Sequence, residues 1–82
     1  MDRKQIVTEV EQVVEKILKH KVTLEDETIA GEVQGWDSLT HMEIIVAIEK
    51  HFNIKFSFMD IMNFQNMGDM FDCILNKTAA NG

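Results

Sequence analysis

The amino-acid sequence predicts an all-α fold: a small four-helix bundle with a long first loop and a short third helix. Three observations carry this expectation. Apolar residues recur at the three-and-four spacing of a helix face in two long stretches, Ile6 to Leu18 and Ile44 to Phe52. Side chains able to cap, namely Asp2, Asp37, Ser57 and Asn66, stand just before the segments with that spacing. Proline is absent, and the β-branched residues fall inside helical spacing.

The first helix is expected from Asp2 to about Lys19. Ile6, Val10, Val13, Val14, Ile17 and Leu18 form one apolar face, and Asp2 with Gln5 three residues on has the form of a capping box. Lys16, Lys19, His20 and Lys21 gather at the C-terminal end, where the helix dipole favours cations. A polar connection follows from Val22 to Trp36, acidic around Glu25-Asp26-Glu27 and punctuated by Gly31 and Gly35. So long a connection in a small helical domain needs anchoring, and Leu24, Ile29, Val33 and Trp36 are the side chains expected to supply it. The acidic run lacks the Asp/Asn alternation, central glycine and closing Glu of a calcium loop, so it reads as a solvated loop.

The second helix, Ser38 to about His51, carries two apolar stripes. Ile44, Ile45, Ile48 and Phe52 share the face expected in the core, whereas Leu39, Met42 and Val46 point elsewhere between Glu43 and Glu49. A domain this small has too few other helices to cover both stripes, so the second is expected to meet a partner. Thr40 with Glu43 also has capping-box spacing, which leaves open a start two residues later. Ser57 with Asp60 predicts a short third helix ending near Asn63. Asn66 with Asp69 opens a fourth through about Asn76, with Met70, Phe71, Ile74 and Leu75 inward. Residues 1–77 are read as one domain, and Thr78 to Gly82 as a flexible tail. Phe58, Met59, Met62, Phe64, Met67 and Met70 make this half rich in soft side chains, either an ordinary core or a deformable interior that admits an apolar guest.

Composition bounds the function. Eighty-two residues, 45% hydrophobic and 27% charged, describe one small folded domain. A net charge of -6 argues against nucleic acid or an anionic membrane as partner and for a protein with a basic docking surface. The single Cys73 has no internal disulfide partner and suits a reducing compartment. No stretch is long and apolar enough to span a bilayer, so a cytoplasmic protein is expected.

The stretch that bears on chemistry is Gly35-Trp36-Asp37-Ser38-Leu39. A Gly, then an Asp able to cap, then a hydroxyl at the first helical turn hold a serine at a loop-to-helix junction. Unsatisfied N–H groups and the helix dipole make that junction tolerant of phosphate. Ser38 is therefore predicted to carry a phosphate-linked prosthetic group. Ser38 and His41, three apart on one helix, also have the spacing of a nucleophile and base. Hydrolysis would further need an oxyanion hole and an oriented base in a cleft, usually built on a larger sheet. His20, His41 and His51 do not form a metal set: there is one Cys and no close His pair on one face. Solvated or helix-end histidines are expected instead.

With Asp37-Ser38-Leu39, Glu43 beyond it, the run Met42-Glu43-Ile44-Ile45-Val46-Ala47-Ile48-Glu49, then Phe52 and the Gly68-Asp69 step, the chain resembles the acyl and peptidyl carrier proteins over about residues 2–77. The resemblance implies 4′-phosphopantetheine joined by phosphodiester to Ser38, attached from coenzyme A by a phosphopantetheinyl transferase. It implies a non-catalytic monomer that holds an acyl or aminoacyl group as a thioester. Its further partners would be a loading ligase and a downstream acyltransferase or synthase. The recognition residues carried over are Asp37, Leu39, Met42, Glu43, Val46 and Glu49. The chain departs from carriers of fatty acid synthesis at Thr40, Lys50, His51 and Ser57, and at Phe58-Met59-Asp60-Ile61-Met62. With Trp36 before Asp37, it looks more like specialised carriers serving aminoacyl, polyketide or polysaccharide-modification pathways. Two alternatives stand beside this reading: an unmodified helical interaction module dimerising through Leu39, Met42 and Val46, and a small serine hydrolase.

Overall fold

The computed structural model describes residues 1–81, with side chains to residue 79. It contains four α-helices in the order α1 (Arg3–Leu18), α2 (Ser38–Phe52), α3 (Phe58–Met62) and α4 (Met67–Asn81), with one 3-10 turn at Ala30–Glu32 in the long loop. There is no strand among the described residues. α1 packs against both α2 and α4. Ile6, Val10 and Val14 of α1, Ile44 and Ile48 of α2, and Met70, Phe71 and Ile74 of α4 are all buried. Fully burying a side chain of this kind contributes about 1.5–3 kcal/mol, so these eight residues are the main cohesion of the bundle.

The helix starts follow from the capping chemistry read in the sequence, with corrections in detail. Asp2 accepts the Gln5 N–H at 2.8 Å, but the Gln5 side chain turns forward and donates to Glu9 at 3.1 Å, so only half the box forms. Ser57 and Asp60 make the full reciprocal box of α3. At α4, Asn66 Oδ1 accepts the Asp69 N–H, while Asp69 Oδ2 accepts the Gln65 N–H rather than that of Asn66. α4 also runs to Asn81 rather than ending near Asn76. Thr78, placed in the tail from the sequence, is helical and bonds back to the Ile74 and Leu75 carbonyls. Gly82, the last residue of the expected tail, lies outside the described residues.

The long loop is anchored, though not by all the expected side chains. Leu24 and Trp36 are buried and Val33 packs against the core, but Ile29 is exposed. Val22 and Ala30 pack there as well. The soft side chains of the second half also divide. Met67 and Met70 are buried and Phe64 partly so, whereas Phe58, Met59 and Met62 are exposed on α3. A five-residue helix has room for one inward-facing position, which Ile61 takes. A deformable interior made of the whole Met/Phe set is therefore not what the chain forms.

Candidate functional site

Ser38 is the first residue of α2, and the backbone before it is shaped to put it there. Gly35 sits at φ 87°, a left-handed conformation that any side chain would strain. Trp36 then folds inward and is buried, which turns Asp37 out to cap the helix. Asp37 Oδ1 accepts the N–H groups of Leu39 at 3.0 Å and Thr40 at 2.9 Å. The Thr40 hydroxyl accepts the Asp37 N–H at 2.8 Å and lies 2.8 Å from the Gly35 carbonyl. Asp37 and Thr40 thus form a reciprocal box, and the helix starts at Ser38 rather than two residues later. The Thr40 N–H is the largest cause holding the Asp37 carboxyl below its ordinary range, so it is ionised at neutral pH.

The Ser38 side chain is exposed, and no described residue hydrogen-bonds its hydroxyl. It borders an open depression of about 430 Å³ lined by Ala30, Trp36, Asp37, Ser38 and His41. An accessible, unengaged hydroxyl beside open space fits the attachment of a bulky group: modification of Oγ displaces nothing and breaks no bond of the fold. One expectation needs correction. Most first-turn N–H groups are not waiting for a phosphate: Asp37 already takes those of Leu39 and Thr40, and the His41 N–H is bonded to the Asp37 carbonyl at 2.8 Å.

His41 makes no hydrogen bond to Ser38 and is not set up as its base. Its Nδ1 accepts a hydrogen bond from Trp36 Nε1 at 3.0 Å, a contact between loop and helix that apolar spacing gives no means of finding. The other histidines have separate partners and are not merely solvated. His51 Nε2 lies 2.7 Å from Glu9 Oε1, and both nitrogens of His20 face backbone carbonyls. Cys73 is half-buried, and burial pushes its thiol up, which makes it a poor nucleophile.

The rest of α2 separates residues grouped in the sequence. Leu39, Met42 and Val46 are exposed at 72%, 53% and 44%, so the second apolar stripe is outside the core. Glu43 is exposed on the same helix. Glu49 has a structural task as well: its Oε2 accepts the Phe56 N–H at 2.8 Å. It is thereby tied to the turn after α2.

The model of a family described as the phosphopantetheine attachment site matches residues 8–74. A comparison with curated proteins finds no match. Among solved structures, the chain is similar to the solution NMR structure of a holo acyl carrier protein from Geobacter metallireducens. The TM-score is 0.85 with 30% identity, covering 93% of this chain and 88% of that one. Covalently bound 4′-phosphopantetheine is therefore this chain's cofactor. An accessible serine at a helix start, a four-helix fold and a family match across most of the length converge: the chain belongs to the phosphopantetheine-attachment family, as a non-catalytic carrier protein with the acyl carrier fold.

Proposed function

We propose that Ser38 is the attachment residue and that the protein presents an acyl or aminoacyl group to successive enzymes. The observation that carries this reading is the Ser38 hydroxyl, exposed at the first residue of α2 and free of any bond to a described residue. When bound, the prosthetic arm supplies a thiol that holds the cargo as a thioester. The protein's own part is presentation and recognition, as is usual for group carriers.

Recognition falls to Asp37, Leu39, Met42, Glu43, Val46 and Glu49. Exposed apolar side chains beside acids suit brief, electrostatically guided docking on basic surfaces, and the net charge of -6 extends that steering. The partners in this reading are a phosphopantetheinyl transferase, a loading ligase, and an acyltransferase or synthase. The protein acts as a cytoplasmic monomer in fatty acid, polyketide, aminoacyl or polysaccharide-modification synthesis. Among the described residues, no helix is long and apolar enough to cross a membrane.

Intact-mass spectrometry after incubation with coenzyme A, Mg²⁺ and a transferase tests the attachment. Wild type gains one phosphopantetheinyl mass, and Ser38→Ala folds normally but gains none. A wild-type mass unchanged by several competent transferases, or a Ser38→Ala protein that is still modified, overturns the assignment.

A further inference from the structure

We propose that His41 hydrogen-bonds the phosphate of the group on Ser38 through its Nε2–H, with Trp36 fixing the ring for that task. This rests on attachment at Ser38 and adds a role for two residues that the attachment itself does not require.

The tautomer comes from the hydrogen-bond inventory. An indole N–H can only donate, and Trp36 Nε1 lies 3.0 Å from His41 Nδ1. Nδ1 therefore presents its lone pair, and the neutral ring carries its proton on Nε2. No described residue engages that Nε2. His41 follows Ser38 by three residues, the spacing that places two side chains side by side on a helix, and both line the same depression. Trp36 is itself buried, so the indole that holds the imidazole is immobilised by the core.

The need for such a donor comes from the helix start. A phosphate at a helix N-terminus is ordinarily held by the unsatisfied first-turn N–H groups. Here the N–H groups of Leu39 and Thr40 are taken by Asp37 Oδ1, and that of His41 by the Asp37 carbonyl. Of that turn, only the Ser38 N–H is left uncommitted among the described residues. Asp37 also places an ionised carboxylate next to the attachment residue, so a phosphodiester adds a second negative charge where one backbone donor remains. The Thr40 hydroxyl is committed to Asp37 and Gly35. Among the residues lining the depression, His41 is the remaining side chain with an N–H to give.

The test is ³¹P NMR of holo protein prepared with coenzyme A and a transferase and checked by mass. A phosphodiester keeps one negative charge between about pH 5 and 8, the window in which histidine titrates. Movement of its resonance there reports a neighbour. Among the side chains lining the depression, Asp37 and His41 are the ionisable ones, and Asp37 is held below its ordinary range. The wild-type resonance is expected to shift with pH. His41→Gln, whose amide oxygen can still accept from Trp36, abolishes the shift, whereas His20→Gln and His51→Gln retain it. Trp36→Phe, which keeps the buried ring but removes the N–H, reduces its amplitude. A His41→Gln profile that superimposes on wild type, or a wild-type resonance that does not move, overturns the role of His41 while leaving attachment at Ser38 intact. Full amplitude in Trp36→Phe overturns the role of Trp36. A wild-type mass that never increases overturns the attachment, and this inference with it.

Discussion

His20 is held by two carbonyl groups at once. Its Nδ1 lies 3.0 Å from the Lys21 oxygen and its Nε2 2.6 Å from the Gln34 oxygen. A neutral imidazole has a single N–H, so both contacts are hydrogen bonds only in the imidazolium. The Lys21 bond is the largest cause raising the affinity of His20 for its proton, followed by the Gln34 bond, with the charge of Glu15 adding to them. Because the folded value lies above the unfolded one, the stabilisation is fully present below the unfolded pKa and is lost as pH rises through the folded pKa. Replacing His20 by Gln should therefore lower the melting temperature more at about pH 6 than at about pH 8.5. Thermal melts of both proteins at the two pH values check this, and an equal difference at both would remove His20 from the account. The clamp ends at Gln34, four residues before Ser38, so it bears on how firmly the loop delivers the site.

At the scale of elements, helix glutamates tie down the loops. Glu15 accepts the Val22 N–H at 3.1 Å, Glu11 that of Leu24 at 2.8 Å, and Glu49 that of Phe56 at 2.8 Å. Each satisfies a part-buried backbone donor that would otherwise lack a partner. Part of the chain's acidic character is thus structural rather than a docking feature. Glu43 and Glu49 look equivalent in the sequence, yet charge reversal should separate them. Glu49→Lys should cost about 1–3 kcal/mol by orphaning the Phe56 N–H, whereas Glu43→Lys, on an exposed face, should change stability by less than about 0.5 kcal/mol. Denaturant unfolding of the two variants measures this directly, and equal midpoints would contradict it. In loading assays Glu43→Lys is then the cleaner probe of docking, because a slower rate cannot be ascribed to unfolding.

Across the whole molecule, the start of α1, the acidic loop and the start of α4 are knotted together. Arg3 pairs with Asp26 at 2.9 Å and Asp72 at 3.0 Å, and its guanidinium lies 5.5 Å from the centroid of the Phe71 ring. The loop reaches α4 through backbone bonds from Met67 N–H to Thr28 O at 2.8 Å and from Gly68 N–H to Asp26 O at 3.0 Å. Gly68 makes room for this approach: a Cβ there would lie 3.1 Å from both Cβ and O of Asp26. Two effects compete in Gly68→Ala. Helix propensity favours Ala by about 0.5–1 kcal/mol, while forcing the loop away costs about 1–3 kcal/mol. Net destabilisation is expected, with faster proteolysis near Asp26. A stabilised variant would show that the loop yields freely. The radius of gyration, 11.6 Å, agrees with the ~12 Å expected of a compact chain of this length, as it must if the loop is packed rather than trailing.

Local chemistry by itself determined the helices, most of their caps, the core faces of α1, α2 and α4, and the exposed stripe on α2. Each depends on residues within about two turns of one another, and spacing reports those relations directly. The place of Ser38 at the start of α2 was legible for the same reason: Asp37, Ser38 and the first turn are neighbours in the chain. Tertiary structure decided how loops and helix ends come to rest. It exposed Ile29, Phe58, Met59 and Met62, folded the neighbouring loops back so that Phe56 meets Glu49 and Trp36 meets His41, and clamped the long loop onto α4 through Arg3 and Gly68. The pattern of apolar residues says that a side chain seeks burial, but where a loop comes to rest depends on which backbone donors and carboxylates meet once the helices have packed, and no periodicity carries that information.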